Sequence, residues 1–381
     1  MKAINNEIID INCYTLPFEG EKHFATVIML PFREDVWYKK ALPARENFKE
    51  VIFQIAEYET VILIIDPSID DKIVHEFERE NIIIYRIKYD DSWARDTSPI
   101  FLINRDEDKI VGVDFGFNAY GGKDHGLYYP YDNDDNFAKN LLLELCIPSF
   151  KRKDFVLEGG SICCDGKGSL LTTRECLLSP DRNPSMSEEE IGAYLKKSLN
   201  VKRVLFLPYG VEDDETGGHV DNVCCFLDDK TILLAYEEDE TLPQHERSVA
   251  NYDYLKSLKT LDGESYNIIK MPFPKKMYIK EEETEDLLIK DDSKKRIKDS
   301  PLAGSYVNFY MSEKFIVLPQ FLDENDKEAV KILQDFYGDA KKIIPVYSRD
   351  ILLGGGNIHC ITMQIPYSSS LSYIMEARND K

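Results

Sequence analysis

The sequence predicts an α/β fold in which one supersecondary unit recurs five times along the chain. Two observations lead to this prediction: short turns of small residues each precede a β-rich run, and apolar strand-like runs alternate with helical stretches. Recurrence at a long interval is typical of one unit copied around an axis. The five turns are marked by Asp96, Glu158, His219, Tyr306 and Cys360.

The first elements follow in chain order. Residues 61–65 and 82–85 are continuous apolar runs rich in β-branched side chains, which is typical of buried strands. Ser187 has a glutamate three residues later, and this capping box predicts a helix that extends to about Leu199. The first half of the chain therefore alternates strands and helices.

The second half continues this alternation. Asp323 is predicted to cap a helix that extends to about Tyr337 and is ended by Gly338. No Gly/Ser-rich or Pro-rich linker separates the five turns, so we expect residues 1–381 to form a single domain. The highly charged residues 279–300 predict an exposed loop or short helix, and no function is assigned to them.

Four of the five turns carry side chains that suit covalent chemistry on a cation. Cys360, on a glycine-rich loop, is either a candidate nucleophile or a small buried residue that closes a turn. His219 and Asp221 are two residues apart, so on a strand they would point the same way. Asp96 and Glu158 would add two carboxylates. Carboxylates fit a planar guanidinium two donors at a time, so attack of the thiol on a guanidinium carbon is the reaction that this set fits best.

The remaining histidines and cysteines receive simpler interpretations. His359 is adjacent to Cys360, so on a strand it would point to the opposite face, and we interpret it as a structural histidine. His125 lies in a polar loop and is predicted to be at the surface. The pairs at 163–164 and 224–225 lie in apolar runs without C-x-x-C spacing, so core packing rather than zinc binding is expected of them.

Composition narrows the class of partner and the compartment. The chain has 47 basic and 69 acidic residues and a formal net charge of −22, which disfavours nucleic acids and anionic membrane surfaces as partners. No apolar stretch reaches the ~18 residues that a membrane-spanning helix needs. Residues 1–7 lack the apolar core of a signal peptide. With the cysteine usage, this predicts a reducing, cytoplasmic compartment.

Motifs along almost the whole chain resemble those of the agmatine deiminases. These enzymes belong to the guanidine-modifying (pentein) superfamily, which also holds the bacterial peptidylarginine deiminases and the arginine deiminases. The matching motifs are HFATV at 23–27, DSWARDT at 91–97, FGFNAYGG at 115–122, LEGGSI at 157–162, DET at 214–216, HVDN at 219–222, YVNF at 306–309 and GGGNIHC at 354–360. The chain departs from the usual family pattern at Ala94, Ser98, Tyr120 and Gly217-Gly218, which bears on the pocket's detail rather than on the reaction type.

The resemblance implies a fold, a reaction and a role for each matched residue. The fold is a five-bladed, pseudo-symmetric α/β propeller of ββαβ modules, and the reaction is hydrolysis of agmatine to N-carbamoylputrescine and ammonia, in polyamine synthesis or agmatine catabolism. By position, the roles are nucleophile for Cys360, acid/base for His219, guanidinium-binding carboxylates for Asp96 and Asp221, support of the substrate and the histidine for Glu158, and lining of the far pocket for Trp93 and Glu215.

Several expectations follow from that reaction. No metal and no organic cofactor is expected, because the substrate is already an electrophilic cation. The partner is a small guanidino compound, and a homo-oligomer is expected. Three alternatives stay open at this point: a peptidylarginine or free-arginine deiminase, an amidinotransferase that passes the adduct to an amine, and a non-catalytic guanidine-binding protein.

Overall fold

The computed structural model describes residues 9–374. The prediction about the N-terminal residues 1–7 therefore lies outside the described residues. Within residues 9–374 the chain forms a mixed α/β fold made of several small sheets. None of the helices in this described range is long and apolar enough to cross a membrane.

The strands are short and numerous. In chain order they are β1 His23–Met29, β2 Thr60–Ile65, β3 Ile82–Arg86, β4 Ile100–Asn104, β5 Lys109–Gly116, β6 Ser149–Val156, β7 Cys163–Cys164, β8 Ser169–Thr173, β9 Arg203–Leu207, β10 Cys224–Phe226, β11 Thr231–Tyr236, β12 Asn267–Pro272, β13 Met277–Tyr278, β14 Pro301–Leu302, β15 Tyr310–Met311, β16 Phe315–Gln320, β17 Lys342–Tyr347 and β18 Thr362–Pro366. Many of them, such as β2 and β11, are buried along nearly their whole length.

The helices lie between the strands. They are α1 Leu42–Ala56, α2 Asp71–Val74, α3 Ala94–Thr97, α4 Gly122–His125, α5 Asp132–Asp135, α6 Phe137–Glu144, α7 Arg174–Leu177, α8 Glu188–Leu199, α9 Pro243–Ser257, α10 Asp326–Tyr337 and α11 Arg349–Leu352. Only the longer ones have an apolar face of several residues, and α1 buries Phe48, Val51, Ile52 and Ile55 in this way.

Five sets of three strands share one pairing pattern. In each set the first strand pairs antiparallel with the second, and the second pairs parallel with the third. The sets are β18–β1–β2, β4–β5–β6, β7–β8–β9, β10–β11–β12 and β15–β16–β17. Parallel neighbours need a crossover connection, and α1, α6, α8, α9 and α10 each lie between the second and third strand of one set. The order of elements is therefore β-β-α-β in four sets, and the fifth set is completed by β18, which pairs with β1 from the other end of the described chain.

Each of the five turns predicted from sequence directly precedes the first strand of one set. These first strands are β4, β7, β10, β15 and β18, and the marker residues Asp96, Glu158, His219, Tyr306 and Cys360 lie just before them. The turns consequently occupy equivalent positions in the five units, which is how residues far apart in sequence come to share one site.

The individual predictions of strands and helices have mixed outcomes. Residues 61–65 and 82–85 are confirmed as strands β2 and β3. The helix after Ser187 is confirmed as α8, with both hydrogen bonds of the capping box present. The predicted start of α10 at Asp323 is wrong. The Asp323 side chain instead accepts a hydrogen bond from the amide of Asn325, 2.9 Å away, and the helix begins after that turn.

Residues 279–300 are confirmed as a loop with one short helix. A 3₁₀ turn, Glu281–Thr284, is followed by irregular chain. The segment is not exposed throughout, because the carboxylate of Glu283 is paired with Arg349 and the side chain of Arg296 is only 6% exposed. These buried charges tie the segment to the rest of the molecule.

Candidate active site

Three predicted site residues converge on one glycine. A Cβ atom at Gly160 would lie 2.6 Å from Nδ1 of His219, 2.8 Å from Oδ2 of Asp221 and 2.9 Å from Oδ1 of Asp96. The amide of Gly160 also donates a hydrogen bond of 2.9 Å to Asp96. Only glycine fits here, because a side chain would overlap all three groups. The turn before β7 therefore packs against the side chains that come from the turns before β4 and β10.

Cys360 joins this group from the turn before β18. Its Sγ lies 3.4 Å from Oδ2 of Asp221 and 3.1 Å from Nδ2 of Asn308. Burial raises the pKa of the Cys360 thiol well above its ordinary value, and the nearby carboxylates of Asp221 and Asp96 raise it further. The thiol is therefore protonated as long as no cation compensates these charges.

His219 and Glu158 lie on the other side of the same space, and both are fully buried. The two ring nitrogens of His219 are 3.8 Å from Oδ1 of Asp96 and 4.0 Å from Oε2 of Glu158. Burial opposes the charge of His219, but the carboxylate of Asp96, with Cys176 and Glu158 nearby, raises the net pKa of the imidazole well above its ordinary value. His219 is thus an imidazolium at neutral pH.

Several buried polar atoms around this space are unpaired. Among the residues from 9 to 374, none hydrogen-bonds to either ring nitrogen of His219, to Oε2 of Glu158 or to Oδ1 of Asp221. Buried polar atoms are nearly always paired in folded proteins, so an unpaired group of them marks a place where a ligand makes the missing bonds. Two carboxylate acceptors and an imidazolium donor are therefore free to bond to a ligand.

Asp96 has a shifted acidity that matters for a cationic ligand. Burial raises its pKa to about 6, with smaller contributions from the charges of Asp221 and Glu158, while His219 acts in the opposite direction. The hydroxyl of Tyr120 donates a hydrogen bond of 2.8 Å to Oδ2 of Asp96. Asp96 is thus ionised at neutral pH but close to its titration range.

His219 and Asp221 meet for a reason that differs from the prediction. The expectation that they lie on one strand is wrong: His219 caps a 3₁₀ turn, Val220–Asn222, which contains Asp221. The carboxylate of Asp214 accepts a hydrogen bond of 3.0 Å from the amide of His219 and shapes this turn. The two side chains converge because of the turn, not because of strand alternation.

The expectation that His359 points to the opposite face from Cys360 is also wrong, whereas its interpretation as a structural histidine stays a prediction. Residues 357–361 form a turn rather than a strand, since β18 begins only at Thr362. Nδ1 of His359 lies 2.9 Å from Oδ2 of Asp221, and Nε2 lies 2.9 Å from Oε2 of Glu19. Burial and Arg95 oppose its charge, but Glu19 and Asp221 raise the net pKa of His359 above its ordinary value. A second histidine, whose charged form is favoured by these carboxylates, therefore lies beside the guanidinium-binding candidate Asp221.

Sequence reasoning missed several residues that contact the site. Asn308 lies beside the thiol, and Arg182 donates a hydrogen bond of 3.1 Å to Oε1 of Glu158. Arg95 pairs with Glu19, 3.0 Å away, behind His359. Asn308 and Arg95 stand inside motifs that were recognised, so their context was a usable signal. Arg182 and Glu19 have no such signal in the sequence.

The outer part of the site is lined by consecutive glycines. A Cβ at Gly356 would lie 2.6 Å from the ring of Trp93 and 3.0 Å from Sγ of Cys360. A Cβ at Gly355, which has φ +109°, would lie 2.7 Å from Oε2 of Glu215. Two adjacent residues thus contact the thiol and the Glu215 carboxylate, so both predicted pocket residues, Trp93 and Glu215, lie along the same short path.

Glu215 is the acidic residue at the end of this path, and it is already paired. Its Oε1 accepts a hydrogen bond from Nη1 of Arg296 and lies 3.3 Å from Nζ of Lys294, whereas Oε2 has no partner within the described part of the chain.

Two neighbouring acidic residues, Asp213 and Asp214, are weaker candidates for this role. Asp213 pairs with Lys276 at the surface, and Asp214 shapes the turn before His219. His125 is confirmed as a surface residue, where it pairs with Asp181.

Within residues 9–374, one group of buried side chains could hold a metal ion. Ligand atoms of Glu158, Cys176 and His219 lie within 4.8 Å of one another, and all three residues are buried. The guanidinium of Arg182 is bound to the same carboxylate, so a fixed positive charge lies beside these atoms and opposes a divalent cation. The expectation of a metal-free site stays a prediction.

Comparisons with known proteins agree on one family. The family model described as Porphyromonas-type peptidyl-arginine deiminase matches residues 15–366. The chain is 41% identical over 354 residues to agmatine deiminase of Ectopseudomonas mendocina, covering 93% of this chain and 95% of that protein. It is 40% identical over 353 residues to agmatine deiminase of Pseudomonas aeruginosa, covering 93% and 95%. A solved structure of agmatine deiminase of Enterococcus faecalis is similar with a TM-score of 0.89 and 34% identity, covering 93% and 96%.

Proposed function

Since this chain belongs to the family of Porphyromonas-type peptidyl-arginine deiminases and resembles agmatine deiminases over nearly its whole length, we propose that it hydrolyses agmatine to N-carbamoylputrescine and ammonia. This is a hydrolysis of a C–N bond in a linear amidine. The substrate is a small cation with a guanidinium at one end and a primary ammonium at the other.

The observation that carries the proposal is the convergence of a thiol, an imidazolium and three carboxylates on one buried volume with unpaired polar atoms. A guanidinium would supply donors to the free oxygens of Glu158 and Asp221. Asp96, which also lies against Gly160, would add a third acceptor. Such a site would not suit an anion, because each carboxylate would repel it.

The proposed chemistry uses only side chains of this chain. The bound cation offsets the carboxylates that raise the pKa of the Cys360 thiol, so the thiol gives its proton to bulk water and becomes a thiolate as the substrate binds. Its sulfur attacks the guanidinium carbon, the imidazolium of His219 protonates the departing nitrogen, and ammonia leaves. The result is a thiouronium adduct on Cys360 and a neutral His219.

The second half of the reaction reverses the role of the histidine. Neutral His219 accepts a proton from a water molecule as the water oxygen attacks the adduct. The C–S bond then breaks, which releases the ureido product and restores the thiol. In this scheme Asp96 and Asp221 hold the guanidinium nitrogens, and Glu158 supports both the substrate and His219.

The architecture proposed with this function is a five-bladed α/β propeller. The five β-β-α-β sets, each with a site-bearing turn before its first strand, support an arrangement around one axis with the site at the centre. A single catalytic domain over residues 1–381, a homo-oligomeric assembly and a cytoplasmic location stay predictions.

Deimination of free or peptidyl arginine is a second candidate, and one observation favours it. Arginine adds a carboxylate near the far end of the substrate, and Arg296 and Lys294 bring two cations to that end of the pocket. Against it, Arg296 is already bound to Glu215 and to the carbonyl of Gly354. A carboxylate would therefore also meet the negative charge of Glu215.

Ammonia release from three substrates tests the proposal. We expect agmatine to be hydrolysed with a higher kcat/KM than free arginine or a blocked peptidyl-arginine, each measured with the same enzyme preparation. Faster turnover of either arginine compound would leave the reaction type in place but replace the substrate. Release of no ammonia from any of the three would refute the proposed function.

A further inference from the structure

The proposed function leaves unused the segment of residues 279–300 and the cavity that it borders. The cavity has a volume of about 890 Å³ and is lined by this segment, by residues 123–129 and by residues 213–215. Backbone hydrogen bonds of 2.9 Å from Ile279 to Ser300 and from Asp299 to Ile279 join the two ends of the segment. We call it the strap, because it is a loop closed at its ends that forms part of the cavity wall.

The strap is hydrogen-bonded to the opposite wall of the cavity. The amide of Tyr129 donates to the carbonyl of Asp292, and the amide of Lys294 donates to the carbonyl of Leu127, both at 2.8 Å. The hydroxyl of Ser293 accepts a hydrogen bond of 3.0 Å from Arg33. These contacts hold the part of the strap that immediately precedes Arg296.

Arg296 connects the strap to two elements of the site at once. One end of its guanidinium donates to Oε1 of Glu215, and the other donates to the carbonyl of Gly354 at 2.6 Å. A planar guanidinium fixes the direction of both bonds. With Oε1 held in this way, Oε2 of Glu215 stays unpaired and faces Gly355, next to the residue that contacts Cys360.

The same guanidinium stands between the cavity and the thiol. Nη2 of Arg296 is 3.2 Å from the position of a Cβ at Gly355, and Gly356 contacts the sulfur of Cys360. Cys360 is 3% exposed and His219 is fully buried. Arg296 and Glu215 also line the cavity, so their contact lies on the side of the cavity that is nearest to Gly355 and Gly356.

We propose that Arg296 is a positioning residue, which orients Glu215 so that one carboxylate oxygen is free for the ammonium end of the substrate, and which closes the strap over the occupied pocket. The inference rests on the proposed function, because it needs a substrate with a cationic far end. It assigns a role to a segment that has none in the chemistry described above.

Kinetics on Arg296→Met and Arg296→Lys test the positioning role. We expect the methionine variant to raise KM for agmatine about tenfold, equivalent to about 1.4 kcal/mol, with kcat changed much less. The lysine variant should fall between wild type and Arg296→Met, because an ammonium cannot hold both acceptors in a fixed direction. The matched control is Lys298→Ala, which removes another strap cation whose partner, Glu281, is exposed, and it should leave KM unchanged.

A double-mutant cycle with Glu215→Gln separates positioning from a general charge effect. If Arg296 acts through Glu215, Arg296→Met should raise KM less than twofold in the Glu215→Gln background, since residues in contact are not additive. Full additivity would overturn the inference. A fall in KM in Arg296→Met would overturn it as well, because Arg296 would then be a cation that competes with the substrate for Glu215.

A labelling experiment without substrate distinguishes a failure of this inference from a failure of the proposed function. Iodoacetamide labelling of Cys360, carried out at a pH high enough for the wild-type thiol to react and followed by peptide mass spectrometry, should be several-fold faster in Arg296→Met than in wild type or Lys298→Ala. Equal labelling rates would refute closure by Arg296 even if agmatine is the substrate. If wild type does not hydrolyse agmatine, faster labelling would still support closure by Arg296. The orientation of Glu215 for an ammonium would then be refuted together with the proposed function.

Discussion

The inner and outer parts of the site differ in how their charges are paired. In the inner part, His219, Glu158 and Asp221 keep buried polar atoms without partners in the described chain. In the outer part, Glu215 already has two cationic neighbours, Arg296 and Lys294. The inner part thus keeps acceptor oxygens that have no partner in the described chain, whereas in the outer part the charge of Glu215 is already offset by cations. In the proposed function, the first region binds the guanidinium and carries the chemistry, and the second discriminates between substrates.

Removal of the Cys360 thiol should abolish catalysis. Cys360→Ala is expected to abolish ammonia release from agmatine, because no other group in the scheme forms the covalent adduct. Intact-protein mass spectrometry during turnover should find an added amidino-type mass on wild type and none on the variant. Appreciable activity in Cys360→Ala, with a circular dichroism spectrum like that of wild type, would contradict covalent catalysis.

Removal of the acid/base should affect the rate far more than binding. We expect His219→Ala to lower kcat by about 10²–10⁴-fold, the usual contribution of a positioned proton donor, with a much smaller change in substrate affinity. Exhaustive treatment with a chelator should leave wild type active. Loss of activity on chelation that zinc restores would instead identify His219 as a metal ligand, together with Glu158 and Cys176.

A change in the outer part should alter specificity rather than chemistry. Glu215→Gln is expected to lower kcat/KM for agmatine by about 1–3 kcal/mol in transition-state binding, the range for loss of a charged hydrogen-bond partner. It should also narrow the difference between agmatine and arginine, because the carboxylate that repels arginine is gone. The matched control is Asp213→Asn, which removes a neighbouring carboxylate paired with Lys276 at the surface and should change neither value. A wider gap between the substrates in Glu215→Gln would be the opposite of what we expect.

The pH dependence should depend on Asp96 in the inner part. Its pKa of about 6 means that the carboxylate is ionised above that pH and neutral below it, so attraction to the guanidinium is lost as the pH falls through about 6. We expect kcat/KM for agmatine to fall roughly tenfold between pH 7 and pH 5. Tyr120→Phe removes a hydrogen bond to the ionised carboxylate and should move this acid limb to higher pH. If the fall in kcat/KM at acid pH occurs at the same pH in Tyr120→Phe as in wild type, a group other than Asp96 causes it.

Local patterns in the sequence were sufficient for the repeated unit and for the identity of the inner site. The capping box at Ser187 and the β-branched run of β2 depend on neighbours a few residues away, so they could be predicted directly. The five small-residue turns could be recognised for the same reason. Cys360 and His219 were found because each stands in such a turn.

Only the tertiary structure decided which side chains meet across the units. His359 and Cys360 were expected to point to opposite faces of a strand. They lie in a turn instead, so both side chains reach Asp221. The contact of Arg296 with Glu215 joins residues 81 positions apart and depends on the path of an irregular loop. Periodicity and capping are properties of a few adjacent residues, whereas such long-range pairs depend on how the whole chain packs. The sequence by itself therefore determined the candidate reactive groups, and the tertiary structure determined the partners that surround them.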